Sequence, residues 1–252
     1  MEPLKIGLPS LFKIFRADNM SRGREYDGAI TIFSPEGRIY QVEYALELVK
    51  RGSPIVGIRT NEGIVLAAME PKLTKLAAPS NSKKIFKIDD HVGVAIAGLS
   101  PDARILIRQA RLYSQSNKMT YDEPVDVEDL TSGVGDLLQR YTQNAGVRPF
   151  GVSLLFGGVD EFRVSLIATD PSGSYRGYKA TAIGRNSEKA KKILSDQYRD
   201  EISLDEAIGL AIEALKEAGE EELSPDDINI AVIPQESKIF KTLSVEEIQK
   251  YL

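Results

Sequence analysis

The chain has 252 residues, 42% of them hydrophobic, with no Cys, no Trp and one His, His91. Zero Cys excludes disulfides, thiolate catalysis and Cys-based zinc or iron–sulfur sites, and a single His excludes multi-histidine metal centres. Lys and Arg total 32 against 37 Asp and Glu, a formal charge of −5, which lacks the basic footprint of a nucleic-acid binder. No stretch reaches the ~20 apolar residues of a membrane span. Carboxylate, Lys, Ser or Thr chemistry survives, or no chemistry at all. A cytoplasmic protein without nucleic-acid or membrane partners is expected.

The N-terminal stretch Pro3–Phe15 is interrupted by Lys5, Gly7, Pro9 and Lys13 and lacks the apolar run of a signal peptide. It reads as an extension ahead of the fold, or as residues upstream of a start at Met20. Ala29–Phe33 is β-rich and stops at Ser34-Pro35-Glu36-Gly37, a turn signal. Ile39, Val42, Leu46 and Val49 then recur at helical spacing, and Gly52 closes that helix. Pro54–Arg59 with Gly63–Met69, and Ile85–Ile88 with Val92–Gly98, predict two hairpins, the second turning at Asp89-Asp90-His91.

A helix is predicted from Ser100-Pro101-Asp102, with Ser100 as N-cap, and another from Asp126. Strands follow at 151–158, 162–170 and 174–179, the last after Asp170-Pro171-Ser172-Gly173. Helices over 187–198 and 203–218, a strand over 228–233 and a closing helix at Ser244, with Glu247 completing a capping box, end the chain. Hairpins dominate, so the sheets should be mainly antiparallel. Runs such as Gly151–Gly158 look buried on both faces. The fold class predicted is α+β, a four-layer α-β-β-α sandwich of two mainly antiparallel sheets, forming one domain over 26–252 behind a tail over 1–25.

Tyr26–Ala45, with its core Tyr26-Asp27-Gly28-Ala29-Ile30-Thr31-Ile32-Phe33-Ser34-Pro35, strongly resembles the opening segment of proteasome α-subunits. Gln139–Ser153 and the block running from Asp170-Pro171-Ser172-Gly173 to Gly184 resemble that family at its own spacing. The resemblance covers about residues 20–252 and is closest to archaeal members. It implies the N-terminal-nucleophile hydrolase sandwich in a non-catalytic form, with no cofactor and no metal. It also implies a structural and gating subunit of a threonine-type endopeptidase complex.

In such a complex, similar subunits form a seven-membered ring against the β-subunits, each beside neighbouring α-subunits, and admit unfolded protein substrates. Tyr26, Asp27, Pro35 and Tyr44 match the family cluster that holds the gate open. Lys84, directly ahead of Ile85-Phe86-Lys87-Ile88-Asp89, matches the lysine that receives the C-terminal carboxylate of an ATPase unfoldase or activator. Lys83 is its neighbouring alternative, and Gly52 and Ile39 match residues lining the same pocket. Asn144, Ala145 and Gly146 match the pore constriction, where the family often carries an aromatic residue in place of Asn144.

The alternative function is a self-processed peptidase or amidohydrolase. Ser53-Pro54-Ile55-Val56-Gly57 resembles the start of catalytic β-subunits, whose nucleophile uses its own free amine as base. Ser53 follows 52 residues, so that route requires cleavage before it. Arg148 is expected to order its own loop, with contact to substrate as the alternative, and His91 to lie exposed in its turn.

Overall fold

A computed structural model of the chain describes residues 31–70, 76, 83–219 and 223–252. The Ser34-Pro35-Glu36-Gly37 turn forms, with Gly37 N–H donating to Ser34 O at 2.8 Å and Gly37 at φ +76°. Helix α1 (Tyr40–Arg51) follows and buries Val42, Ala45 and Val49, one stripe at helical spacing. Strands β1 (Ile55–Thr60) and β2 (Gly63–Met69) form the first hairpin, and β3 (Ile85–Asp89) and β4 (Val92–Gly98) the second.

Helices α2 (Ser100–Tyr121) and α3 (Val127–Gln143) come next, followed by β5 (Val152–Val159), β6 (Val164–Thr169), β7 (Tyr175–Gly177) and β8 (Ala180–Ile183). Helices α4 (Ser187–Gln197) and α5 (Leu204–Ala218), strands β9 (Ile228–Pro234) and β10 (Lys241–Thr242), and helix α6 (Val245–Ile248) complete the chain. One sheet runs β10-β9-β2-β1-β8 and the other β3-β4-β5-β6-β7, with antiparallel pairing throughout both.

Side-chain alternation distributes the core into three layers of apolar contact. Ile55, Ile64, Leu66, Leu155 and Leu166 fill the space between the two sheets. On the outer face of the first sheet, Val65 and Ile230 pack under Ala211 and Leu215 of α5. On the outer face of the second, Leu154 and Phe156 pack under Leu106 of α2 and Leu130 and Leu138 of α3. The result is the expected α-β-β-α sandwich. Helix α1 belongs to neither helix pair, and its Val49 joins the inter-sheet cluster from one end.

Three local expectations are corrected. Ser100 is not the N-cap of α2: that position is Leu99, which offers no side-chain cap. The predicted strand over 174–179 is split between sheets. Tyr178 N–H donates to Leu166 O in one sheet at 2.8 Å, while Lys179 O accepts from Arg59 N–H of the other at 2.8 Å, so the chain changes sheet between these residues. Its continuation, β8, pairs with β1, and the short β10 pairs with β9; the local pattern marks neither as a strand.

His91 is only 5% exposed, not exposed in its turn. Its Nε2 lies 2.8 Å from Val125 O, so the ring nitrogen donates to that carbonyl. The turn is covered because three distant segments close over it. Val159 N–H donates to His91 O at 3.0 Å, Phe240 N–H to Asp90 O at 2.6 Å, and the 122–126 connection supplies the carbonyl.

Candidate functional site

Lys84 stands immediately ahead of β3, and its carbonyl accepts Ile96 N–H at 3.0 Å, so it is already fixed to β4. The residue is only 7% exposed, whereas Lys83 beside it is exposed. Among the described residues no oxygen takes a hydrogen bond or ion pair from the Lys84 ammonium. Burial pushes its pKa below the ordinary lysine value, and the charge of Glu70 works in the opposite direction.

Gly52 caps the C-terminal end of α1, with its N–H donating to Val49 O at 3.0 Å. A Cβ there would lie 2.5 Å from Gly98 N, so only glycine lets the helix end rest on the end of β4. Lys84 and Gly52 therefore meet β4 at Ile96 and Gly98, about 7 Å apart along the strand. Ile39 is the N-cap of the same helix and stands about 20 Å from Gly52 along its axis. A single chain thus gathers Lys84 with Gly52 but leaves Ile39 at the far end of α1.

Around that far end, Pro35 sits in a turn bonded to the start of α1. Ser34 N–H donates to Arg38 O at 2.8 Å, Arg38 N–H donates to Ser34 Oγ at 3.2 Å, and Arg38 Nε donates to Glu43 Oε1 at 2.6 Å. The Arg38 guanidinium also lies 5.3 Å from the centre of the Tyr40 ring. Tyr44, one turn further on, is 52% exposed. Tyr26 and Asp27 lie outside the described residues.

Asn144, Ala145 and Gly146 form the exposed exit from α3. Asn144 Nδ2 donates to Arg140 O at 2.7 Å, and Gly146 adopts φ +91°, which reverses the chain. The return is clamped by Arg148, whose guanidinium makes two hydrogen bonds to Asp102, and by Gly151 N–H, which donates to Asp102 Oδ2 at 2.9 Å. The Tyr141 and Phe150 rings, 4.4 Å apart, join the two stems of the loop. Arg148 does order its own loop.

Ser53 lies between Gly52 and β1, where Arg185 N–H donates to Gly52 O at 2.8 Å. Helix α1 ends immediately before it, with Val49 packed into the inter-sheet core. Among the described residues no group of three or more His, Asp or Glu side chains is arranged to hold a metal ion, and no helix is long and apolar enough to cross a membrane.

A family model described as proteasome subunit matches residues 49–233, and a second, the N-terminal signature of the A-type proteasome subunits, matches residues 26–47. The chain is 49% identical to the proteasome alpha subunit of Methanobrevibacter smithii, over 90% of this chain and 91% of that protein. It is 48% identical to the proteasome alpha subunit of Methanocaldococcus jannaschii, over 90% of this chain and 87% of that one. The proteasome alpha subunit of Methanopyrus kandleri is 46% identical, over 89% of this chain and 91% of that one. The chain belongs to the proteasome α-subunit family.

Two residues of this α-subunit's sites escape sequence reasoning. Glu70 is one: its Oε1 accepts Lys84 N–H at 2.8 Å and Asn229 Nδ2 at 3.3 Å, so it is tied to the backbone of Lys84. Nothing in the local pattern after β2 marks it, because its partners lie 14 and 159 residues away. Asp102 is the other. Its position in the first turn of α2 suggests only an acid facing the helix dipole, yet its side chain holds the 148–151 segment.

Proposed function

We propose that this protein is a non-catalytic α-subunit of the proteasome core particle in the cytoplasm. It forms a heptameric outer ring that gates substrate entry and docks the C-termini of ATPase activators, with β-subunits and neighbouring α-subunits as partners and unfolded proteins as substrates. The observation that carries the reading is α1: it lies over one end of the inter-sheet core, plugs it with Val49 and leads directly into Ser53. A nucleophile at Ser53 needs that end open and a free amine, and the helix opposes both.

Lys84 supports the docking role, with Gly52 beside it. It is the buried lysine of the adjacent pair, and a carboxylate–ammonium hydrogen bond in such a site contributes about 1.5–3 kcal/mol. Ile39, at the other end of α1, fits the same pocket when a neighbouring copy in the ring supplies it. Pro35 and Tyr44, acting with Tyr26 and Asp27, suit a gate, because the bonds of Ser34 and Arg38 make the turn and the start of α1 shift as one unit. Asn144, Ala145 and Gly146, small and exposed on a clamped loop, suit a pore constriction.

Assembly is supported by an apolar stripe on α2, where Ile105, Leu112 and Met119 recur every seven residues and all are exposed. Electron microscopy of the protein alone and with its β-partner tests the reading: sevenfold rings are expected, and a monomer under both conditions overturns it. Deleting residues 1–27 should speed peptide entry into the assembled particle. A mature chain whose intact mass begins at Ser53 would instead establish the self-processed hydrolase.

A further inference from the structure

Glu70 and Lys84 share a site in which the Glu70 carboxylate is left incomplete. Glu70 is fixed by its own N–H, which donates to Asp227 O at 2.8 Å, and Oε1 takes the bonds from Lys84 N–H and Asn229. Its Oε2 is buried and has no hydrogen-bond partner among the described residues. The Lys84 ammonium interacts with it through space, and Oε2 remains open as an acceptor. An unsatisfied buried oxygen is costly, and such sites are completed by a ligand or by a change of protonation.

The charges around Glu70 come from few elements. Lys83 and Lys84 precede β3, β9 contributes the neutral Asn229, and the Asp227 carboxylate is occupied by Ser224 N–H at 3.1 Å and Ser224 Oγ at 2.7 Å. Burial raises the Glu70 pKa above the ordinary carboxylate value, opposed by the bonds from Lys84 and Asn229 and by the two lysine charges. A ligand carboxylate arriving on the Lys84 ammonium takes up that cation's field and adds a second anion to the same largely buried site. Two carboxylates sharing one cation in low dielectric do not both stay ionised.

We propose that Glu70 is a specificity-determining residue of the Lys84 site: a chain-end carboxylate docks together with one proton, taken from solvent onto Glu70 Oε2. The inference rests on the reading of Lys84 as the docking residue. Protonation turns the orphan oxygen into a donor, which supplies the ligand with a hydrogen bond that ionised Glu70 cannot make. Docking is then tighter in mildly acidic solution, and the linkage belongs to the carboxylate of the ligand and not to its side chains.

Core particles assembled with the native chain, Glu70→Gln or Lys84→Ala can be titrated with a short fluorescent peptide copied from an ATPase C-terminus. The peptide is used with a free carboxylate and as its C-terminal amide, across about pH 5 to 8. The native particle should bind the free carboxylate more tightly as pH falls, by up to about tenfold per pH unit at the steepest point. Glu70→Gln should flatten that profile and bind more tightly than the native particle near neutrality, and the amide should show no such slope. A native particle without a slope, or a Glu70→Gln particle that keeps it, overturns the proton linkage. A Lys84→Ala particle that binds the free carboxylate as well as the native one at every pH overturns the docking reading itself.

Discussion

Arg148 grips Asp102 across 46 residues of chain, with Nη1 to Oδ2 at 2.6 Å and Nη2 to Oδ1 at 2.8 Å. The carboxylate is buried and also accepts Gly151 N–H, so one side chain in the first turn of α2 fixes both the approach to β5 and the loop after α3. Leu99 N–H donates to Gly151 O at 2.8 Å and closes the same junction from the backbone. Planar, two-point pairing of this kind fixes orientation as well as distance.

Asp102→Asn should therefore destabilise the protein by about 1.5–3 kcal/mol, measured by chemical denaturation. Burial by itself raises the Asp102 pKa, but the Arg148 guanidinium and Gly151 N–H outweigh it and hold the carboxyl below its ordinary range. A depressed folded-state pKa means that the contribution is complete above the unfolded value of about 3.9 and is lost as pH falls through the lower folded value. The native protein should lose stability through that acid window, and the Asn variant should lose less.

Gly98 ends β4 at φ +115°, and a Cβ there would lie 2.3 Å from Gly151 O. Gly98→Ala imposes both left-handed strain and a backbone clash at the Asp102–Arg148 junction. A loss of about 2–3 kcal/mol is expected, read as a lowered denaturation midpoint.

Gly209 offers the opposite case. It lies inside α5, and a Cβ at that position meets nothing within 4 Å. Gly209→Ala should stabilise the protein by about 0.5–1 kcal/mol, because alanine loses less backbone entropy in a helix. Thermal unfolding of the purified variant checks the sign.

Phe156 is fully buried on the helix-facing side of β5, in the cluster with Leu106, Leu130 and Leu138. Phe156→Ala should cost about 3–5 kcal/mol, and Phe156→Leu much less, since the cavity left behind is smaller. Urea titration of the two variants separates cavity volume from simple loss of apolar area.

Much of the fold can be read locally. The capping boxes at Ser203 and Ser244, the Asp126 cap, both early hairpins and the glycine turn at Gly37 are written in adjacent residues, and all of them form. The elements that escaped are those whose identity depends on a remote partner. β8 exists because Gly57 and Thr181, 124 residues apart in the chain, pair side by side in one sheet, and β10 because Val232 offers it an edge.

The candidate sites divide in the same way. Sequence by itself determined the layering, the family and the residue types available: a lysine ahead of β3, small residues after α3, a proline turn ahead of α1. Those features rest on short-range spacing and turn chemistry, which need no knowledge of the rest of the chain. Only the tertiary structure decided that Lys84 is buried beside Glu70, that Asp102 answers Arg148, and that His91 is spent on Val125 O. Burial, desolvation and pairing are properties of groups brought together from 14 to 46 residues apart, and no local pattern encodes them.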